Sequence, residues 1–320
     1  MKNYTYGIIL FLLLLAGCVF LDGVDQPATA KAGEEMTIVM HNRVDVSDGG
    51  LTYVRLIIGF LAPKSWAAAS SANITYTTTS YGNGKMVPVP SSVIAADGLS
   101  WPAALKNRFG MGGNYMTDDL EWVVFWTEQV YNVPQGVKDN IDVTMVIKPG
   151  PENMQFKTGY FLGTSSDGLS DVFGSNNVYK CQFEDCFTIT DGAGDLIDFC
   201  NPQIAAVTPG VTTDNDFLTV SFDPDVVPTA LNGVGSIYLC AKGYTSDGQI
   251  LEACTQTESS KLKSYTGHKS AITIWPRAYF SMQEGPTLEK IEYFFTDATG
   301  TVKVGFSNTA APFVYTFKCQ

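Results

Sequence analysis

The chain has 320 residues and a formal net charge of −12, with 45% hydrophobic residues against 16% charged. So acidic a balance, with no basic run, excludes a nucleic-acid partner. Twelve per cent aromatic residues supply core material and exclude a disordered chain, and the length allows two domains.

Lys2 precedes an unbroken hydrocarbon run from Ile8 to Leu15, inside an apolar stretch of 15 residues from Gly7 to Leu21. A bilayer-spanning helix needs ~20 residues, so this stretch suits the core of a signal peptide instead. Leu15-Ala16-Gly17-Cys18 resembles the bacterial lipobox, whose cysteine thiol receives a diacylglycerol and becomes the first mature residue. The resemblance implies that residues 1–17 are a lipoprotein signal peptide and that Cys18 is a lipid anchor. Acyl chains, palmitate among them, bury CH₂ groups at ~0.8 kcal/mol each and hold the chain stably on a membrane. Residues 18–33, small and polar with one proline, read as a tether. The expected location is the outer membrane, touched through the lipid alone, with the early acids Asp22 and Asp25 pointing to the exterior face.

From Glu34 the pattern turns to strands. MTIVMHNRVDV, TYVRLIIGFLAP, NITYTTTSYG, LEWVVFWTEQV and NIDVTMVIKPG are rich in β-branched residues and punctuated by Gly, Pro, Asn and Asp. QFKTGYFLGTSS and NVYKCQF close a first β-sandwich of immunoglobulin-like kind over residues 34–195. Trp122 and Trp126 share a parity with Leu120 and Val124, which makes them core. A long insertion between the Tyr81 region and Asp118 holds one short helix: Ser100 is a plausible N-cap, Pro102 fits the first turn, and Gly110 suits the C′ position. Its aromatics Trp101 and Tyr115 are candidate ligand contacts; the competing reading has the helix cap one open end of the sandwich.

TDGAGDLIDFCNP (190–202) is the domain break. QIAAVTP, DFLTVSFDP, AITIWP, LEKIEYFFTD, TVKVGFS and FVYTFKC, with a cysteine hairpin among them, predict a second sandwich over residues 196–320. The fold class is therefore all-β: two tandem β-sandwich domains, with a short helix in a long loop of the first.

Beyond Cys18, six cysteines lie in the C-terminal half, where an exported chain can oxidise them. In SIYLCAKGYTSDGQILEAC, a turn centred on Asp247 sets Cys240 opposite Cys254 and Lys242 opposite Glu252. The same register leaves Ile237, Leu239, Ala241, Leu251 and Ala253 on an apolar face, so Cys240–Cys254 is predicted. Cys181–Cys186 and Cys200–Cys319 are the simplest remaining pairs. With no CxxC and only His41 and His268 in the chain, zinc is not expected.

No catalytic template is present, neither GxSxG, GxxxxGK[ST] nor HExxH, and no enzyme is expected. Calcium is the one cation the acids could suit: Asp191, Asp195 and Asp198 sit in a Gly-rich turn, with Asp214 and Asp216 nearby, but neither group follows the EF-hand spacing. No cofactor or metal is therefore predicted. Aromatic placement says more. In AITIWPRAYF, Ile272 and Ile274 face one way and Thr273 and Trp275 the other, and Pro276 stops ladder pairing. Trp275, with Arg277 and Tyr279, forms a candidate platform for a sugar ring; the competing explanation is packing of Trp275 against the other domain or under a loop.

IIGFLAPKSW (57–66), WPAALKNRFG (101–110) with DDLEWVVF (118–125), and ITIWPRAYF (272–280) with LEKIEYFFTDATGT (288–301) resemble a Bacteroidetes surface lipoprotein family of unknown function. The last segment is also similar to C-terminal modules of starch-utilisation-type glycan-binding outer-membrane lipoproteins. The six-cysteine set departs from those modules. The resemblance implies capture of a polysaccharide or oligosaccharide beside an outer-membrane porin complex. The alternative is an adhesin-like or assembly lipoprotein binding a protein partner, and a hydrolase with two cryptic carboxylates is the third reading.

Overall fold

The computed structural model describes residues 17–47, 49–95, 97–170, 178–266 and 268–318. Leu15 and Ala16 of the lipobox, and Cys319, lie outside the described residues.

The first domain comprises β1 (Gly17–Asp25), β2 (Thr29–Lys31), β3 (Met36–Val46), β4 (Leu51–Val54), β5 (Leu56–Pro63), α1 (Ala68–Ser71), β6 (Asn73–Thr78) and β7 (Asn83–Pro88). It continues through α2 (Trp101–Phe109), β8 (Leu120–Thr127), β9 (Tyr131–Val133), β10 (Lys138–Ile147), β11 (Glu152–Thr164), β12 (Tyr179–Thr190) and β13 (Ala193–Asp198). Hydrogen bonding runs in the order β1-β3-β10-β6-β7-β8-β5-β11-β12-β2, with β13 on β11 and a separate β4-β9 ladder. β1 returns to contact β11 and β12, so the sheet folds over on itself around one core.

β10 shows why these residues make strands: its burial alternates strictly, with Ile141, Val143, Met145 and Ile147 inside. β5 and β8 are buried on both faces instead, because the insertion lies across their outer side. Gly59 has no Cβ and lets Leu105 of α2 approach β5, while the Trp122 indole Nε1–H donates to the Gly110 carbonyl at 2.9 Å. Trp122 is thus buried beneath the insertion. The helix starts after Ser100, whose side chain makes no capping hydrogen bond, and stops at Gly110, whose φ is +68°.

The second domain comprises β14 (Ala205–Thr208), β15 (Leu218–Phe222), β16 (Tyr238–Thr245), β17 (Ile250–Ala253), β18 (Lys263–Thr266), β19 (Lys269–Ile274), α3 (Pro276–Tyr279), β20 (Leu288–Thr296), β21 (Lys303–Val304) and β22 (Phe313–Thr316). A β14-β15-β19-β18 sheet faces a β17-β16-β20 sheet extended by β21 and β22. Phe222 from one and Phe295 from the other meet with ring centroids 4.8 Å apart. The chain is all-β, two tandem β-sandwich domains.

Three expectations are corrected. Residues 18–33 are not a tether: β1 pairs with β3 and β2 with β12, and Val19 is a core residue. The domain break falls after residue 195, since β13 pairs with β11 and Phe199 belongs to the first core. Among the cysteines, Cys240–Cys254 forms in the register described, with Lys242 opposite Glu252. Cys186 bonds Cys200, which rules out both Cys181–Cys186 and Cys200–Cys319. Nearness in sequence favoured 181 with 186; the return of the chain along β13 brings residue 200 to 186 instead. Cys181 is free, and burial pushes its thiol up to about 12.

Candidate functional site

The outer face of the β14-β15-β19-β18 sheet carries the candidate site. Ile272 and Ile274 turn into the core with Leu218, Val220 and Phe222, so the residues between them turn outward. Thr219 pairs with Thr273 and their hydroxyls lie 2.9 Å apart. On the other side Thr219 pairs with Thr208, which sets three threonines in a row across three strands. Leu218 pairs with Ile274 at the end of the ladder, and Phe217 and Trp275 flank that last pair. Phe217 is 68% exposed and Trp275 43%. Tyr265, on the edge strand β18, is exposed as well. The exposed Phe217 and Trp275 thus lie at the same end of the sheet, beyond the row of three threonines.

Trp275 is therefore placed as its parity predicts, but its proposed partners are not beside it on that face. Pro276 opens α3, which turns the chain inward. Arg277 donates to Asp214 at 2.7 Å and to the carbonyls of Pro286 and Gln283, so its guanidinium is engaged as a partly buried tie within the domain. Tyr279 is partly buried, with its hydroxyl donating to the Leu239 carbonyl at 2.9 Å, and burial raises its phenol above the ordinary range. Trp101 is only 4% exposed and packs from α2 of the insertion onto Phe161. Tyr115 is exposed, its N–H donating to the Phe199 carbonyl. Phe217 and Tyr265 escaped the sequence reading. The signal for Phe217 was present, because Leu218, Val220 and Phe222 alternate inward and leave 217 outward.

The other candidates have structural partners. His41 bridges Asp142 at 2.8 Å and Asp25 at 3.0 Å across three strands, and these hydrogen bonds, the one to Asp25 foremost, raise its imidazole above the usual value. His268 donates from Nδ1 to the Asp225 carboxylate at 2.9 Å. Asp191 lies 3.3 Å from the Lys31 ammonium, Asp198 accepts from the Cys200 and Asn201 N–H groups, and Asp216 accepts from the Thr212 and Thr213 hydroxyls. The Asp195 side chain lies outside the described residues. Among the described residues no group of three or more His, Cys, Asp or Glu side chains is placed to hold a metal ion. No helix among them is long and apolar enough to cross a membrane.

An all-β protein of two sandwiches with an aromatic-edged open face is the class that fold and site define. The chain belongs to the family described as Domain of unknown function (DUF4961), which matches residues 19–203. A second family, Domain of unknown function (DUF8578), matches residues 205–304, so the two matches meet where the two cores divide. No curated protein matches. Among solved structures, the pilus 2b backbone protein of group B streptococcus is similar at 10% identity and a TM-score of 0.22, covering 92% of this chain and 88% of its own. The B domain of a biofilm associated protein gives 8% and 0.22, covering 87% and 80%. AvmM, which catalyses macrocyclisation in alchivemycin A biosynthesis, gives 10% and 0.29, covering 57% and 91%.

Proposed function

We propose that this chain is a lipid-anchored, non-catalytic surface module of the outer membrane that captures a glycan on the Phe217–Trp275 face of its second domain, beside a porin complex. The supporting observation is the pair of exposed rings bordering the Thr208-Thr219-Thr273 row. Sugar rings offer flat C–H faces to an indole or phenyl plane, and hydroxyl side chains can exchange hydrogen bonds with the sugar's own hydroxyls. Binding of purified protein from Val19 onward to a panel of plant, host and microbial polysaccharides in affinity gels tests it. One polymer should retard the protein, and Trp275→Ala should reduce the retardation at least tenfold while shifting Tm by less than about 2 °C, the range of ordinary surface substitutions.

The second reading is an adhesin-like module that binds a protein. Large exposed aromatics are also the residues that anchor protein interfaces, and Phe217 and Trp275 are both exposed at one end of the sheet. No retardation by any polymer, with loss of a protein partner on Trp275→Ala in pull-downs from outer-membrane extract, would carry this reading over the first.

A further inference from the structure

A second site lies at one end of the first domain, under the β4-β9 ladder. There the strands leave an apolar cavity of about 60 Å³, walled by Val44, Leu56 and Ile141 and by the rings of Tyr76, Tyr81 and Tyr131. A single ordered water needs roughly 10–15 Å³, so the cavity takes a larger group. Tyr131 meets Tyr81 and Tyr76 edge to face, with centroids 5.8 Å and 6.4 Å apart.

One carboxylate belongs to this wall. Asp139 stands on β10 at the inward parity of Ile141, Val143 and Met145, and is only 5% exposed. Both of its side-chain oxygens are buried and neither has a hydrogen-bond partner. Nearby cations are engaged elsewhere. The Lys138 ammonium lies 2.8 Å from Asp45; the Arg55 guanidinium donates to the Thr127 and Glu128 carbonyls and lies 4.7 Å from the Trp126 ring centroid. Other polar side chains of the wall have partners, Thr164 donating to Asp167 at 3.0 Å. The Tyr76 and Tyr131 hydroxyls bond each other, Thr78 donates to the Gly82 carbonyl and Thr127 to that of Gln129.

A buried carboxylate without a donor is among the most costly groups a core can hold, and a cation with N–H donors relieves that cost. Tyrosine faces attract cations, and the aliphatic wall accepts an alkyl stem. A neutral sugar would instead bring several hydroxyls to a wall in which Asp139 alone holds buried oxygens without a donor among the described residues. We propose that this cavity binds an alkylammonium group, supplied by a lysine side chain of a partner protein or by a free small amine. The site is separate from the Phe217–Trp275 face and does not depend on it.

The test is a ligand-observed NMR titration of the intact chain with butylammonium, and with butanol as the uncharged isostere. Saturable millimolar binding of butylammonium is expected, at least tenfold weaker for butanol and for the Asp139→Asn variant. Nα-acetyl-lysine methylamide separates the sources: tighter binding than butylammonium assigns the group to a protein side chain, and weaker binding assigns it to a free amine. Should Asp139→Asn fail to fold, Tyr81→Ala replaces it, with an expected weakening of at least threefold. Absence of saturable butylammonium binding, equal affinity for butanol, or unchanged affinity in the folded variant overturns the proposal.

Discussion

Arg277 shows how one side chain can look like a ligand contact and be a strut. It follows an exposed tryptophan by two residues, yet its guanidinium closes on Asp214, which is 1% exposed and also accepts the Leu288 N–H at 3.0 Å. Removing one partner of a buried pair strands the other charge, at ~3–5 kcal/mol. Arg277→Ala should therefore lower the denaturant-unfolding free energy of the second domain by that amount, and Asp214→Asn in the same background should restore part of it. A loss below about 1 kcal/mol would mean that water reaches Asp214. Sequence could not reveal this tie, because residues 214 and 277 are joined only by the tertiary fold. Asp139 is the opposite case. Its inward parity is readable from the alternation of Ile141, Val143 and Met145, and an acid at such a position is a signal in itself.

At the scale of elements, the β16-β17 hairpin was the most legible part of the chain. One register accounts for the cysteine pair, the Lys242–Glu252 pair and the apolar face, and Gly248 at φ +83° closes the turn. The 14-residue separation of Cys240 and Cys254 corresponds to ~3 kcal/mol of restricted unfolded-chain entropy. Replacing both cysteines by serine should lower the stability of the second domain by about that much while leaving the hairpin's amide exchange pattern native in form. Disproportionate loss would assign the bond a role in native packing as well. The Cys186–Cys200 bond was not legible, since the parallel pairing of β13 with β11 leaves no local trace. The insertion was half legible: its helix and the ends of that helix follow from propensity, but only the structure shows that it covers β5 and β8 and turns Trp101 into a core residue.

Across the whole molecule, the seam between the domains holds acids in poor surroundings. Glu152 is buried at the start of β11 with its Oε2 unpartnered, and burial raises its carboxyl above the ordinary value. A folded-state pKa raised in this way contributes stability below the unfolded value of 4.5 and loses it as pH rises through the folded value. Above that folded value the protein carries the buried charge. Glu152→Gln should raise Tm by about 2–4 °C there, equivalent to ~1 kcal/mol in a domain of this size, and the gain should shrink toward pH 4.5. A gain independent of pH would show that the charge is not its source.

The position of β1 has a consequence for how such a molecule stands on a membrane. Its ladder with β3 begins at Gly17 opposite Val46, and Cys18 is already opposite Asp45. If acyl chains enter at Cys18, no leash separates lipid from sheet: the first domain is moored flush, like a boat at a quay, and its freedom to sweep is lost. Search for a ligand then falls to lateral diffusion of the whole particle rather than to swinging on a flexible stalk.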